Sequence, residues 1–167
     1  MIKKLILPLL IAVLLIAALI YKLNERQNNI FSGNLNVYFV KLISKNSVKL
    51  SPVKRDRIQE EKPLKTALSE LLKGPSVYEK TRGYISEIPL KTRLIGITEL
   101  PDRLIINLSK EFAENGGSLS QSFRLRQLSS TAVDAAGGKP VYLQIESKNA
   151  DYIGGEGVEV PQPLEKY

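Results

Sequence analysis

Pro63-Leu-Lys-Thr-Ala-Leu-Ser-Glu-Leu-Leu-Lys-Gly-Pro-Ser76 contains the start, the register and the stop of one helix. Pro63 sits at the first helical position, where its fixed φ suits the helix and its missing N–H is not needed. Leu64, Ala67, Leu68, Leu71 and Leu72 then recur at i, i+3, i+4, i+7 and i+8, which places one apolar stripe along the helix. Gly74-Pro75 ends it, because Gly accepts the left-handed cap and Pro cannot continue the ladder. Ser76-Val-Tyr-Glu79 follows with capping-box spacing and predicts one further short turn of helix. A stripe of this kind must be covered, so the flanking segments decide what covers it.

Upstream, Leu35-Asn-Val-Tyr-Phe-Val-Lys-Leu-Ile43 reads as a strand. Val37 and Phe39 alternate with Tyr38, Val40 and Leu42, so both faces are covered and the strand is central. Ser47 to Arg57 pairs with it as a hairpin, and Pro52 places that second strand at an edge or a bulge. Downstream, residues 80–91 read as loop. Thr92 to Leu100 and Leu104 to Leu108 read as strands joined by the tight turn Pro101-Asp-Arg103. After Asn115-Gly-Gly117, Ser118-Leu-Ser-Gln121 offers a second capping box. The helix it opens carries Leu125, Leu128, Ala132 and Ala135 on one stripe, flanked by Phe123 and Val133, and stops at Gly137-Gly138. Pro140 to Ser147 is a further strand, and from Asn149 the Gly- and Pro-containing end reads as extended and weakly ordered. The order is β(β)αββαβ, an α+β fold with two helices on one face of a mixed β-sheet, preceded by one transmembrane helix.

That transmembrane segment is the run from Leu5 to Tyr21, which has no charged side chain. With Ile2 and Leu23 at its ends it approaches the ~20 residues that cross a bilayer, and Lys3, Lys4 and Lys22 can snorkel outward. A cleaved signal needs a small-residue site beyond the apolar core; Ala17 and Ala18 lie inside the run, and bulky or charged residues follow it. The expected organisation is an anchor over 1–23, a polar tether over 24–33, a domain over 34–150 and a tail over 151–167. A short N-terminal segment stays inside while a long C-terminal domain translocates, so the chain is expected to be a single-pass protein of the cytoplasmic membrane with an extracytoplasmic domain.

Net charge is +7, distributed unevenly. Residues 24–110 hold sixteen Lys/Arg against nine Asp/Glu, whereas residues 111–167 hold five against eight. A solvated surface accounts for this; so does charge complementarity between neighbouring copies.

Catalytic chemistry is sparse. Without His or Cys there is no imidazole base, thiol nucleophile or Cys/His metal cluster. Ser51-Pro-Val-Lys54 matches S-x-x-K in spacing only, since Pro52 in an extended run keeps the two side chains off one helical face. Glu60 and Glu61 are adjacent, point apart and suit a helix start. Gly154-Gly-Glu-Gly157 lacks the strand–turn–helix setting of a dinucleotide loop. Lys54-Arg-Asp-Arg57 contains an acid and no aromatic, which argues against nucleic acid as a partner. No metal, cofactor or catalytic residue is expected.

Several of these segments occur together in a recognisable pattern: Val37-Tyr-Phe-Val40, the stretch ending Pro52-Val-Lys-Arg55, the helix ending Leu71-Leu-Lys-Gly-Pro-Ser76, Ser86-Glu-Ile-Pro89, Ile106-Asn-Leu-Ser109 with Phe112, and Leu128-x-x-Thr131 before Val141. Over about residues 35–150 the chain resembles the GerM domain of sporulation and spore germination proteins. The resemblance implies a membrane-anchored or secreted domain with no catalytic centre, related in fold to ring-building modules of secretion systems and of the channel between mother cell and forespore. One copy is present where the family also has tandem forms, and no lipobox Cys is present.

The expected function is therefore a non-enzymatic envelope module that binds a protein partner or itself. A peptidoglycan-binding accessory to wall hydrolases is the alternative. An enzyme using Glu60, Glu79 or Glu87 is a third reading. The residues expected to make partner contacts are Lys73, Tyr78, Arg82 and Tyr84, since Tyr and Arg are enriched at interfaces.

Overall fold

The computed structural model describes residues 13–22, 31–44, 47–58 and 62–167. Residues 13–22 are helical and exposed. Among the described residues no helix is long and apolar enough to cross a membrane. Most of the expected 1–23 anchor lies outside them, as do Glu60 and Glu61.

Two long antiparallel strands, β1 (Phe31–Ser44) and β2 (Ser47–Ile58), form the first sheet with β3 (Tyr84–Ile85) in the order β2-β1-β3. β1 is central as expected: Val37 and Phe39 on one face are fully buried, and Val40 on the other is nearly so. Pro52 lies opposite Tyr38 on β2, an edge strand, where its missing N–H costs little. The expected tether ends earlier than 33, since β1 already begins at Phe31. Helix α1 (Pro63–Lys73) buries Leu64, Ala67, Leu68 and Leu71, the stripe read from sequence. Gly74 at φ 77° ends it, donating its N–H to the carbonyl of Leu71. Helix α2 (Val77–Thr81) then starts with a complete capping box.

The second sheet has the order β4-β5-β6-β7 and is mixed: β4 (Leu94–Glu99) pairs antiparallel with β5 (Leu104–Leu108), and β5 pairs parallel with β6 (Val141–Ile145). β7 (Lys148–Asn149) closes that sheet, and β8 (Tyr152–Ile153) with β9 (Val158–Glu159) makes a third of two strands. The single expected sheet is thus three sheets among the described residues. The parallel β5–β6 step requires a crossover, supplied by the 3₁₀ turn Lys110–Phe112 and helix α3 (Ser118–Ala135). Its Leu125, Leu128 and Ala132 join Leu64, Leu68 and Leu71 of α1, Val37 and Phe39 of β1, and Ile106, Leu108, Val141 and Leu143 of the second sheet in one core. Each such large aliphatic side chain contributes about 1.5–3 kcal/mol on burial.

Three further expectations are corrected. Residues 80–91 are not all loop: α2 runs to Thr81, and Tyr84–Ile85 pairs with β1. The second capping box does not form. Gly117 caps α3, Gln121 sends its side-chain amide to the carbonyls of Asn115 and Gly116, and the N–H of Ser118 donates to Glu156 Oε2 at 2.8 Å. An acidic group at a helix start is favoured by the exposed amides and the dipole.

The end of the chain is also not weakly ordered. Ile153, Val160 and Leu164 are buried in the core. Gln162 reproduces a strand neighbour with its side chain: Oε1 accepts from Leu143 N at 3.0 Å, while Nε2 donates to Leu143 O at 2.9 Å and Ala150 O at 3.1 Å. Apolar residues interleaved with Gly and Pro supply core contacts without regular periodicity, which is why pattern reading misses them.

Candidate partner surface

The expected contact residues flank the junction of α1 and α2. Pro75 prevents α1 from continuing, and Ser76 restarts the helix: its Oγ accepts from Glu79 N at 3.3 Å while Glu79 Oε2 accepts from Ser76 N at 2.8 Å. With that side fixed, α2 turns Val77 and Tyr78 outward, 80% and 67% exposed. Arg82 Nη1 donates to Tyr78 Oη at 3.0 Å, and the guanidinium stands 5.6 Å from the Tyr78 ring centre. Tyr78 and Arg82 are therefore one unit.

Gly83, at φ 81°, reverses the chain into β3. Its carbonyl accepts from Leu42 N at 2.9 Å, and a Cβ there would lie 3.4 Å from Leu42 O. Tyr84 lies opposite Lys41, whose Nζ is 4.9 Å from the ring centre. Tyr84 is half-buried rather than exposed. Lys73 stands apart from this group. It pairs with Glu70 at 2.5 Å, and the chain Glu70–Arg55–Glu79 leads from it to α2.

At Gly83, α2 and β3 meet the far end of the β1–β2 hairpin, and there the structure adds residues that sequence reasoning missed. Leu42, Ile43, Val48 and Ile85 are exposed large apolar side chains on neighbouring strands. The expectation that Leu42 is covered is thus corrected. The signal available was the pair Leu42-Ile43, because adjacent apolar residues in a strand face opposite ways and one must point outward unless both faces are covered. Lys41 and Lys49 pair on β1 and β2 next to the Leu42–Val48 pair, and Lys80 and Arg82 lie on α2 and at its end just before Gly83, so this end of the domain carries apolar and basic residues together with Tyr78 and Tyr84. Such a composition fits macromolecular contact. Glu79 is engaged by Arg55, and Glu87 accepts from Ser120 Oγ at 2.6 Å. Among the described residues no group of three metal-ligating side chains occurs.

Residues 36–151 match the family model described as Germane, sporulation and spore germination. No curated protein matches. The tandem GerMN domains of the sporulation protein GerM from Bacillus subtilis superpose with a TM-score of 0.63 at 19% identity, over 82% of this chain and 46% of that one. The chain thus spans about half of the tandem structure. The first GerMN domain of the same protein gives 0.58 at 15% identity, over 80% of this chain and 98% of that one. At these identities the likeness is one of fold. A putative lipoprotein from Clostridium perfringens gives 0.49 at 21% identity, over 75% of this chain and 83% of that one.

Proposed function

The chain belongs to the Germane family of sporulation and spore germination domains, and from that premise we propose that it is a non-enzymatic module of the bacterial cell envelope that works by protein–protein assembly. The observation that supports this most is the apolar and basic surface around Gly83, where Leu42, Val48, Ile85 and Tyr78 are open to solvent. Exposed apolar residues grouped in this way and rimmed by polar ones mark sites of protein contact. The contact takes either an envelope protein or a second copy of the chain.

In this reading the N-terminal segment anchors the domain in the cytoplasmic membrane, with the domain on the extracytoplasmic side. Support comes from the unbroken apolar run Leu5 to Tyr21 and from Val13, Leu14, Leu15 and Ile16, all more than half exposed on helical residues 13–22. A short link between anchor and domain raises the local concentration for lateral contacts. Cross-linking the protein in its native membrane tests the proposal. Adducts with an envelope protein or with itself support it; recovery of monomer only removes it.

A further inference from the structure

We propose that the cleft between α1 and the open edge of β4 is a docking groove for an extended acidic segment of another protein, which adds to the second sheet as a further strand. This site is separate from the surface around Gly83 and does not rest on it.

Among the described residues β4 is outermost in its sheet and pairs only with β5. Beside it run two adjoining hollows, of about 310 and 240 Å³, that share Lys62, Lys65, Ile97 and Glu99 and so form one continuous groove. Leu64 and Ala136 contribute apolar lining. The strand's register is regular over 96–99, with Ile95 inserted as a bulge before it. A helix lying alongside an open strand edge is the arrangement in which an extended peptide gains affinity from main-chain hydrogen bonds and specificity from the side chains along the groove.

The rim determines the chemistry of the occupant. Lys62, Lys65 and Lys139 face one carboxylate, Glu99, which accepts from Lys62 at 2.6 Å and from Lys139 at 3.1 Å. Among the described residues Lys65 forms no ion pair. Positive charge is in excess, so an acidic strand is the complement. A second copy fits poorly: its long open edge, β2, carries Lys49, Lys54 and Arg55, its edges β3 and β7 are two residues each, and a second β4 would bring its own Lys62, Lys65 and Lys139 against those of the first.

The test uses the full chain in detergent micelles, observed by amide NMR, with a short synthetic peptide alternating valine and glutamate as the probe. Amide signals of 96–99 shift on addition, and the peptide binds about tenfold more tightly than its valine–lysine counterpart. N-methylation of alternate peptide amides abolishes binding in one phase only, because edge pairing uses every second residue. Lys62→Glu with Lys65→Glu reverses the charge preference, whereas Lys139→Glu in a separate chain, which leaves the rim neutral, removes it. Unmoved 96–99 signals, or equal affinity for the two peptides on the unaltered chain, overturn the proposal. So does a shift of those signals with protein concentration alone, which identifies a second copy as the occupant.

Discussion

Arg55 on β2 grips Glu79 on α2 with both terminal guanidinium nitrogens, Nη1 to Oε1 at 2.6 Å and Nη2 to Oε2 at 2.7 Å. The same carboxylate closes the capping box, and the same guanidinium reaches Glu70 on α1 at 3.3 Å and lies 5.8 Å from the Phe39 ring centre. One part-buried pair therefore joins β2, α1 and α2, and it fixes the helix that presents Tyr78 and Arg82.

Acid should weaken this joint in a defined window. The Arg55 guanidinium holds the Glu79 carboxyl at about 2, against 4.5 ordinarily. The folded pKa is depressed, so the unfolded chain binds the proton first. Stability from the pair is complete above about 4.5 and is lost as pH falls from there through about 2. Glu79→Gln should cost about 2–3 kcal/mol at neutral pH. In urea titrations the gap between the two proteins should narrow below pH 4.5.

Gly154 should not tolerate a side chain. Its φ is 76°, and a Cβ would fall 1.7 Å from Gln121 Oε1. Gln121 is 1% exposed and held by two carbonyls, so it cannot swing aside without losing them. Gly154→Ala should destabilise the domain by about 1–3 kcal/mol, read from the denaturation midpoint.

Arg124 should resist conservative exchange. It is 3% exposed and donates to four carbonyls: Phe112 at 2.6 Å, Glu114 at 2.9 Å, and Asn115 and Glu87 at 3.0 Å each. Lysine is a point donor and cannot reproduce the planar fork. Arg124→Lys should therefore lose about 2 kcal/mol or more, and Arg124→Met more still, because carbonyls are left unsatisfied. Hydrogen exchange should rise first in residues 112–116.

The helices and their apolar faces were legible in the sequence because propensity, cap and periodicity agree at Pro63, Gly74 and Ser76. Where they disagree, reading stops. Ser118 and Gln121 have capping-box spacing, but the cap belongs to Gly117 and Glu156, a partner far along the chain that no local rule finds. On the candidate surface the sequence pointed to Tyr78 and Arg82. Leu42 and Val48 join it through pairing across a hairpin and through the Gly83 contact of Leu42, which are tertiary facts.

Residues beyond the matched span 36–151 should matter to folding. A chain ending at 150 lacks Ile153, Val160 and Leu164 and the Gln162 contacts to β6, and it should unfold or be cleaved rapidly by protease. A chain ending at 164 lacks the Lys166–Asp134 pair, the Tyr167–Ser130 bonds and the contacts of Lys166 with the Tyr38 ring and of Arg126 with the Tyr167 ring. That shorter loss should cost about 1 kcal/mol or less.

Placing a photo-crosslinking amino acid at Val48, at Tyr78 and, as a control, at Asp102 on the β4–β5 turn tests assembly through the Gly83 surface most directly. In the native membrane, Val48 and Tyr78 should yield the same adduct, to one envelope protein or to a second copy, and Asp102 should not. Adducts from Asp102 alone, or none from Val48 and Tyr78 in a folded and membrane-located protein, would contradict it.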